Sequence, residues 1–156
     1  MMPSQSSVAL HTVRVWLLRG FRLSVGSRTI GEDHWRRRKA AALVKLLALA
    51  PSHRMHREQV MHLLWPHLRG EAAANNLHRT LYVARRNIEP DPATSSRYLT
   101  LRGEQLMLYP EGDLWVDVEV FEQAAGAARR SRDPAAYRAA IDLYAGELYR
   151  SALLMA

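Results

Sequence analysis

One stripe of residues constrains the fold of this chain more than any other feature. Leu77, Leu81, Ala84 and Ile88 recur at spacings of four, three and four between Glu71 and Ile88. At 3.6 residues per turn, that spacing puts all four on one side of a helix. With Leu77 at the origin and about 100° per residue, Asn75, Arg79, Tyr82 and Arg86 fall within roughly 40° of the opposite pole. His78 and Arg85 flank them. Such a helix must bury its stripe against other elements and leaves an Asn- and Arg-bearing face outside. Glu89-Pro90-Asp91-Pro92 ends it and starts a loop.

The rest of the chain supplies partners for that stripe. Val8 to Ile30 reads as antiparallel strands, with Val13, Val15 and Leu17, then Phe21, Leu23 and Val25, on the buried face. Arg14, Trp16, Arg22 and Ser24 alternate with them, and turns fall near 19–20 and 26–28. Trp35 to Ala50 reads as a helix burying Leu43, Leu46, Leu47 and Ala50, and Pro51 stops it. Arg36-Arg37-Arg38-Lys39 then occupies its first turn, an electrostatically poor place for cations. Arg57 to Leu64 reads as a short helix with Val60, Leu63 and Leu64 inward and His56 at its N-cap. Tyr98 to Tyr109 reads as a hairpin around Arg102-Gly103-Glu104-Gln105, and 110–113 as a connector. From Val116 the pattern is helical, with Val118, Phe121, Ala125 and Ala128 marking one helix. Tyr137, Ala140, Ile141 and Tyr144 mark a second, started by Asp133-Pro134.

The predicted fold class is therefore α+β: N-terminal antiparallel strands, three helices, a hairpin, then a short helical segment. A hairpin directly after the last of three helices makes a winged helix-turn-helix, with the wing at 98–109. The expected division is 8–110 for that unit and 114–150 for the helical one. Charge follows the same division. Residues 1–110 carry 17 Lys and Arg against seven Asp and Glu, whereas residues 111–156 carry five against eight. A basic first part and an acidic second part predict different partners. All but Lys39 and Lys45 of the 22 basic residues are arginine, which suits phosphate and base-edge recognition and equally follows from GC-rich coding.

The helix at 71–88 is the candidate binding element. Asn pairs bidentately with adenine and Arg with guanine in the major groove. Asn75, Asn76, His78 and Arg79, near the helix start, are assigned to bases or nearby phosphates. Tyr82, Arg85 and Arg86, farther along, are assigned to phosphates. Arg102 at the hairpin tip is placed for an adjacent minor groove. Arg36, Arg37, Arg38 and Lys39 fit either phosphate contacts or a solvated first turn. Asn75 also fits a capping or solvated role, and His78 a plain surface position. Trp16, Trp35 and Trp65 read as packing residues.

Other chemistry finds little support. With no cysteine there are no disulfides, thiolate ligands or cysteine nucleophiles. His53 and His56 lie three apart without a further ligand at metal-binding spacing. No Gly-rich phosphate loop, Ser-His-Asp set or carboxylate pair stands out, so the expectation is a non-enzyme without cofactor or metal. No apolar run is long enough for a membrane span, and Met1 to Ser7 lacks a signal core, which predicts a cytoplasmic protein. The function expected is binding of double-stranded DNA. The alternative is a protein-interaction module using the same unit and the acidic helical tail.

Several of these segments resemble a known family. Trp35-Arg36-Arg37-Arg38-Lys39-Ala40-Ala41-Ala42-Leu43, then Arg57-Glu58-Gln59-Val60 leading to Leu64-Trp65-Pro66, resembles the Streptomyces antibiotic regulatory protein (SARP) type of transcriptional activator. Asn75-Asn76-Leu77-His78-Arg79 through Arg85-Arg86 is similar to its recognition helix. Val116-Asp117-Val118-Glu119-Val120-Phe121 and Leu143-Tyr144-Ala145-Gly146-Glu147-Leu148 resemble parts of the bacterial transcriptional activator domain that follows. The resemblance implies an OmpR-like winged helix with its third helix in the major groove, a homodimer on direct repeats near promoters, and contact with RNA polymerase. It also implies a tetratricopeptide-like helical array, of which about 40 residues are present here. One helix pair rarely buries its own faces, so this part is expected to pack on the first unit, to dimerise or to fray. His56 stands where these proteins usually carry Ser or Thr.

Overall fold

A computed structural model describes residues 11–18 and 20–144. The expected start of the first strand at Val8 and everything assigned beyond Tyr144, including the Ala145-to-Leu148 part of the family resemblance, lie outside them. The molecule is α+β, with two small sheets around three helices and a further helix pair at the end. No helix among the described residues is long and apolar enough to cross a membrane.

The first sheet contains β1 (Val13–Trp16), β2 (Arg22–Val25) and β3 (Arg28–Gly31), paired antiparallel in sequence order. Gly26 closes the two-residue turn between β2 and β3 at φ +59°, a conformation side chains disfavour. Val13, Val15, Leu23 and Val25 are buried on one face, as their alternation predicts. Ser24, expected outside, is buried as well.

Three helices follow: α1 (Arg38–Leu49), α2 (Arg57–Leu64) and α3 (Gly70–Ile88). The expected start of α1 at Trp35 is corrected to Arg38. Arg37 sits ahead of it at φ 64°, outside helical geometry, and Trp35 packs its ring 5.0 Å from that of Phe21 instead. Leu63, expected inward on α2, is 49% exposed, because α2 buries only Val60 and Leu64. The α3 stripe of Leu77, Leu81, Ala84 and Ile88 is buried, joined by Ala73 and Thr80. It shares one core with Leu43, Val44 and Leu47 of α1 and with Leu99, Leu106 and Leu108 from the hairpin.

That hairpin is β5 (Leu99–Arg102) and β6 (Gln105–Leu108), turned at Gly103 with φ +64°. Its far edge accepts a third strand, β4 (Arg54–His56), from the segment just before α2, which the sequence reading did not mark as a strand. Short strands carry too little periodicity to be distinguished from loops in the sequence.

The larger correction concerns residues 114–116. The sequence places them at the opening of the helical unit, but they form β7 (Leu114–Val116), which runs parallel to β1 and makes the first sheet four-stranded. Directly after it, α4 (Asp117–Ser131) begins. The buried Asp117 carboxylate accepts hydrogen bonds from the Leu17 N–H at 2.9 Å and the Leu18 N–H at 3.0 Å. These two donors lie just past the end of β1, so one side chain joins the sheet to α4. The last helix, α5 (Pro134–Tyr144), starts where Asp133 accepts from the Ala135 N–H at 3.0 Å. Pro at the first helical position needs no N–H partner, which explains the Asp133-Pro134 start.

Candidate nucleic-acid interface

The outer face of α3 is assembled by burial of the opposite stripe. Asn75, His78, Arg79 and Tyr82 are exposed, and Asn76 and Arg86 are half-buried. Tyr82 is 62% exposed, unusual for a ring with no packing role in its own fold. The Arg86 guanidinium lies 5.8 Å from the Tyr82 ring centroid, and its Nη1 donates to the Tyr82 hydroxyl at 3.4 Å. Asn75, Asn76, His78 and Arg79 have no side-chain partner among the described residues. The face therefore presents amide, imidazole, guanidinium and phenol groups along one side of the helix.

Arg85 is used differently from the expectation that placed it with the phosphates. Its Nε donates to the Leu99 carbonyl oxygen at 2.7 Å, linking α3 to the first residue of β5. Burial lowers its pKa from the ordinary arginine value. This side chain positions the hairpin relative to the helix.

The hairpin tip carries Arg102, which is exposed and pairs with Glu111 at 3.3 Å. An exposed pair of this kind contributes about 0–1 kcal/mol, so Arg102 can exchange Glu111 for another anion. On the neighbouring strand, His56 caps α2 through Nδ1, which accepts from the Glu58 N–H at 3.1 Å. Its Nε2 faces the Glu104 carboxylate at 3.3 Å. Imidazole thus takes the capping role usually filled by Ser or Thr. His53 meets Glu119 of α4 at 3.2 Å, so the two histidines point to different carboxylates. No group of three His, Asp or Glu able to hold a metal occurs among the described residues.

The basic run at 36–39 is divided by the fold. Lys39 Nζ donates to the Leu64 carbonyl at 2.7 Å, where a cation satisfies the C-terminal end of α2. The placement that looked unfavourable for α1 is thus favourable for its neighbour. The Arg36 carbonyl accepts from Asn87 Nδ2 at 3.0 Å, tying the segment to the last turn of α3. The side chains of Arg36, Arg37 and Arg38 are exposed and have no ion pair among the described residues.

Among the exposed cations that the sequence reading did not single out, one lies at the start of α3. Arg69 is the N-cap of α3, on the same end as Asn75. Its position in the turn before the helix was the available signal. The tryptophans pack as expected. Trp65 is buried, Trp35 lies on Phe21, and Trp16 lies 5.6 Å from Trp115.

A scan of protein-family models finds no match to this chain, and no curated protein matches it.

Proposed function

We propose that this chain is a sequence-specific double-stranded DNA-binding protein that regulates transcription, with a winged helix-turn-helix formed by α2, α3 and the β5–β6 hairpin. The observation that carries this reading is the row of exposed Asn75, Arg79 and Tyr82 with half-buried Arg86 on α3, directly opposite its buried stripe. The donor types suit base edges in a major groove, and the spacing along one helix face suits its width. Net charge of +7, concentrated in the first 110 residues, supports attraction to a phosphate backbone. The Arg85–Leu99 link supports a fixed angle between the reading helix and the hairpin, so that Arg102 would reach an adjacent groove when α3 is seated.

In this reading the first turns of α3 contact bases while Tyr82 and Arg86 hold phosphates. Arg69 and Arg36 extend the phosphate contacts at the two ends of the helix. The SARP-type resemblance of the quoted segments adds promoter-proximal direct repeats, a homodimer on them, and RNA polymerase as a partner in the cytoplasm. The mechanism is binding throughout and involves no bond-making step.

Selection of bound duplexes from a random library tests the proposal. The expected result is an enriched motif containing adenine and guanine positions, repeated in the same orientation. Recovery of unenriched sequence, or no retention of duplex at low salt by the folded protein, would overturn it.

A further inference from the structure

A second surface lies beside α1. A groove of about 780 Å³ runs along the outer side of α1 between Trp35 and the end of α2. Ala42, Leu46 and Leu63 give it an apolar floor, and Arg37 and Arg38 stand at its edge. Leu63 is 49% exposed there. Neither arginine has an ion pair among the described residues. Glu32 and Lys45, both also in the lining, pair with each other at 3.6 Å, and Lys45 lies over the Phe21 ring, so Arg37 and Arg38 are the lining charges left unpaired. The Trp35 indole N–H is buried and has no hydrogen-bond partner.

The groove is separate from the α3 face. Helix α1 turns Ala40, Leu43, Val44 and Leu47 into the shared core, and Arg38, Ala42, Lys45 and Leu46 lie on its other side. Helix α3 buries its stripe in that same core and turns its polar row outward. No α3 residue lines the groove.

We propose that this groove docks an acidic amphipathic helix of a partner protein. A tryptophan and two unpaired arginines beside an apolar floor match the residue types enriched at protein-binding centres. A helix laid in such a groove inserts side chains at i, i+3 or i+4 into the apolar floor. Its flanking carboxylates would meet Arg37 and Arg38, whose planar guanidinium groups accommodate them bidentately. A basic or uncharged helix would leave both cations facing apolar surface without a counter-charge. The proposal does not rest on the DNA-binding reading, because the groove and its charges are the same with or without a duplex on α3.

The test follows the Trp35 indole N–H resonance, assigned with Trp35→Phe, during titration of the whole chain with two synthetic helices. Both have a leucine face; one carries glutamate on its polar face and the other lysine. The expected result is saturable movement of that resonance by the glutamate peptide, with at least about tenfold weaker binding of the lysine peptide. Arg37→Glu with Arg38→Glu should reverse the preference. Leu63→Ser, at an exposed position that leaves the core intact, should weaken binding of the glutamate peptide. A random-sequence duplex should not displace it. Equal affinity for the two peptides, no response to either set of variants, or no saturable binding would overturn the proposal. Displacement by duplex would instead place Arg37 and Arg38 among DNA contacts. Tighter capture of dodecanoate at the same resonance would make the groove a small-molecule site. Perturbation by self-association alone would make the occupant a second copy. Each of these three results also overturns the proposal.

Discussion

The Nε of Arg85 donates to the carbonyl oxygen of Leu99 at 2.7 Å, and this bond links the last turns of α3 to the first residue of the hairpin. Arg85→Ala removes the donor and leaves a partly buried carbonyl without its partner. Stability should fall by about 1–3 kcal/mol, measured as a shift in the urea midpoint at constant slope. Binding to duplex should weaken without any change in sequence preference. A variant as stable as the parent would remove the link from the fold, and altered base preference would return Arg85 to the base-contacting set.

Arg79 and Arg86 should separate by what they change. Arg79→Ala should weaken binding to the selected site by about 1–3 kcal/mol and relax preference at one base pair. Arg86→Ala should weaken all sequences alike and reduce the salt slope of binding by about one. Competition binding against single-base variants, repeated over a range of salt, reads both. Equal loss on all sequences for Arg79→Ala contradicts its base-reading role. An unchanged slope for Arg86→Ala takes it off the phosphates.

Asp117→Ala tests the junction between the sheet and α4. The carboxylate accepts from the Leu17 and Leu18 N–H groups, and its loss leaves two buried donors without partners. A cost of about 1.5–3 kcal/mol is expected in chemical denaturation, in keeping with hydrogen bonds to a charged group. Amide exchange at Leu17 and Leu18 should also accelerate. Unaltered exchange at those two positions would count against the junction.

Tyr109 supplies a pH dependence at the alkaline end. Burial, reinforced by Tyr98 stacked 5.1 Å away, pushes its phenol up to about 12 from the ordinary value of 10. Its hydroxyl donates to the His11 carbonyl. The neutral form is favoured in the folded chain, so its contribution is fully present below pH 10 and is lost as pH rises toward 12. The loss should reach about 2–3 kcal/mol, because a tenfold change in proton affinity is worth about 1.4 kcal/mol. Denaturation midpoints followed from neutral pH into this alkaline range should show it, and Tyr109→Phe should flatten the slope. An equally steep decline in that variant would assign the transition to other groups.

Much of the polar face of α3 was legible in the sequence because it follows from one helix period. The Leu77-to-Ile88 stripe determined which side of α3 is buried, and its complement located Asn75, Arg79, Tyr82 and Arg86. Arg85 was not separable from them, because its angular position beside the polar face is compatible with either water or the hairpin. Only the Leu99 carbonyl decides between these, and it lies 14 residues away. Lys39 was ambiguous for the same reason: its partner is the end of a different helix.

The sequence by itself determined the elements whose patterns are local: the alternation in β1 and β2, the amphipathic helices, the glycine turn of the hairpin and the Asp133-Pro134 helix start. Each rests on spacing within a few residues, which the chain carries wherever it packs. Tertiary structure alone decided the assignments that need a distant partner. Leu114 to Val116 became a strand only because β1 offers a free edge beside it, with about 100 residues between them. The Arg36-to-Lys39 run divided among an α2 carbonyl, an α3 side chain and an open groove because three helices converge on it. Periodicity states which side of an element is apolar. It does not state which hydrogen-bonding group of another element lies opposite, and that second relation is what joins the helix pair to the sheet and opens the Arg37–Arg38 groove.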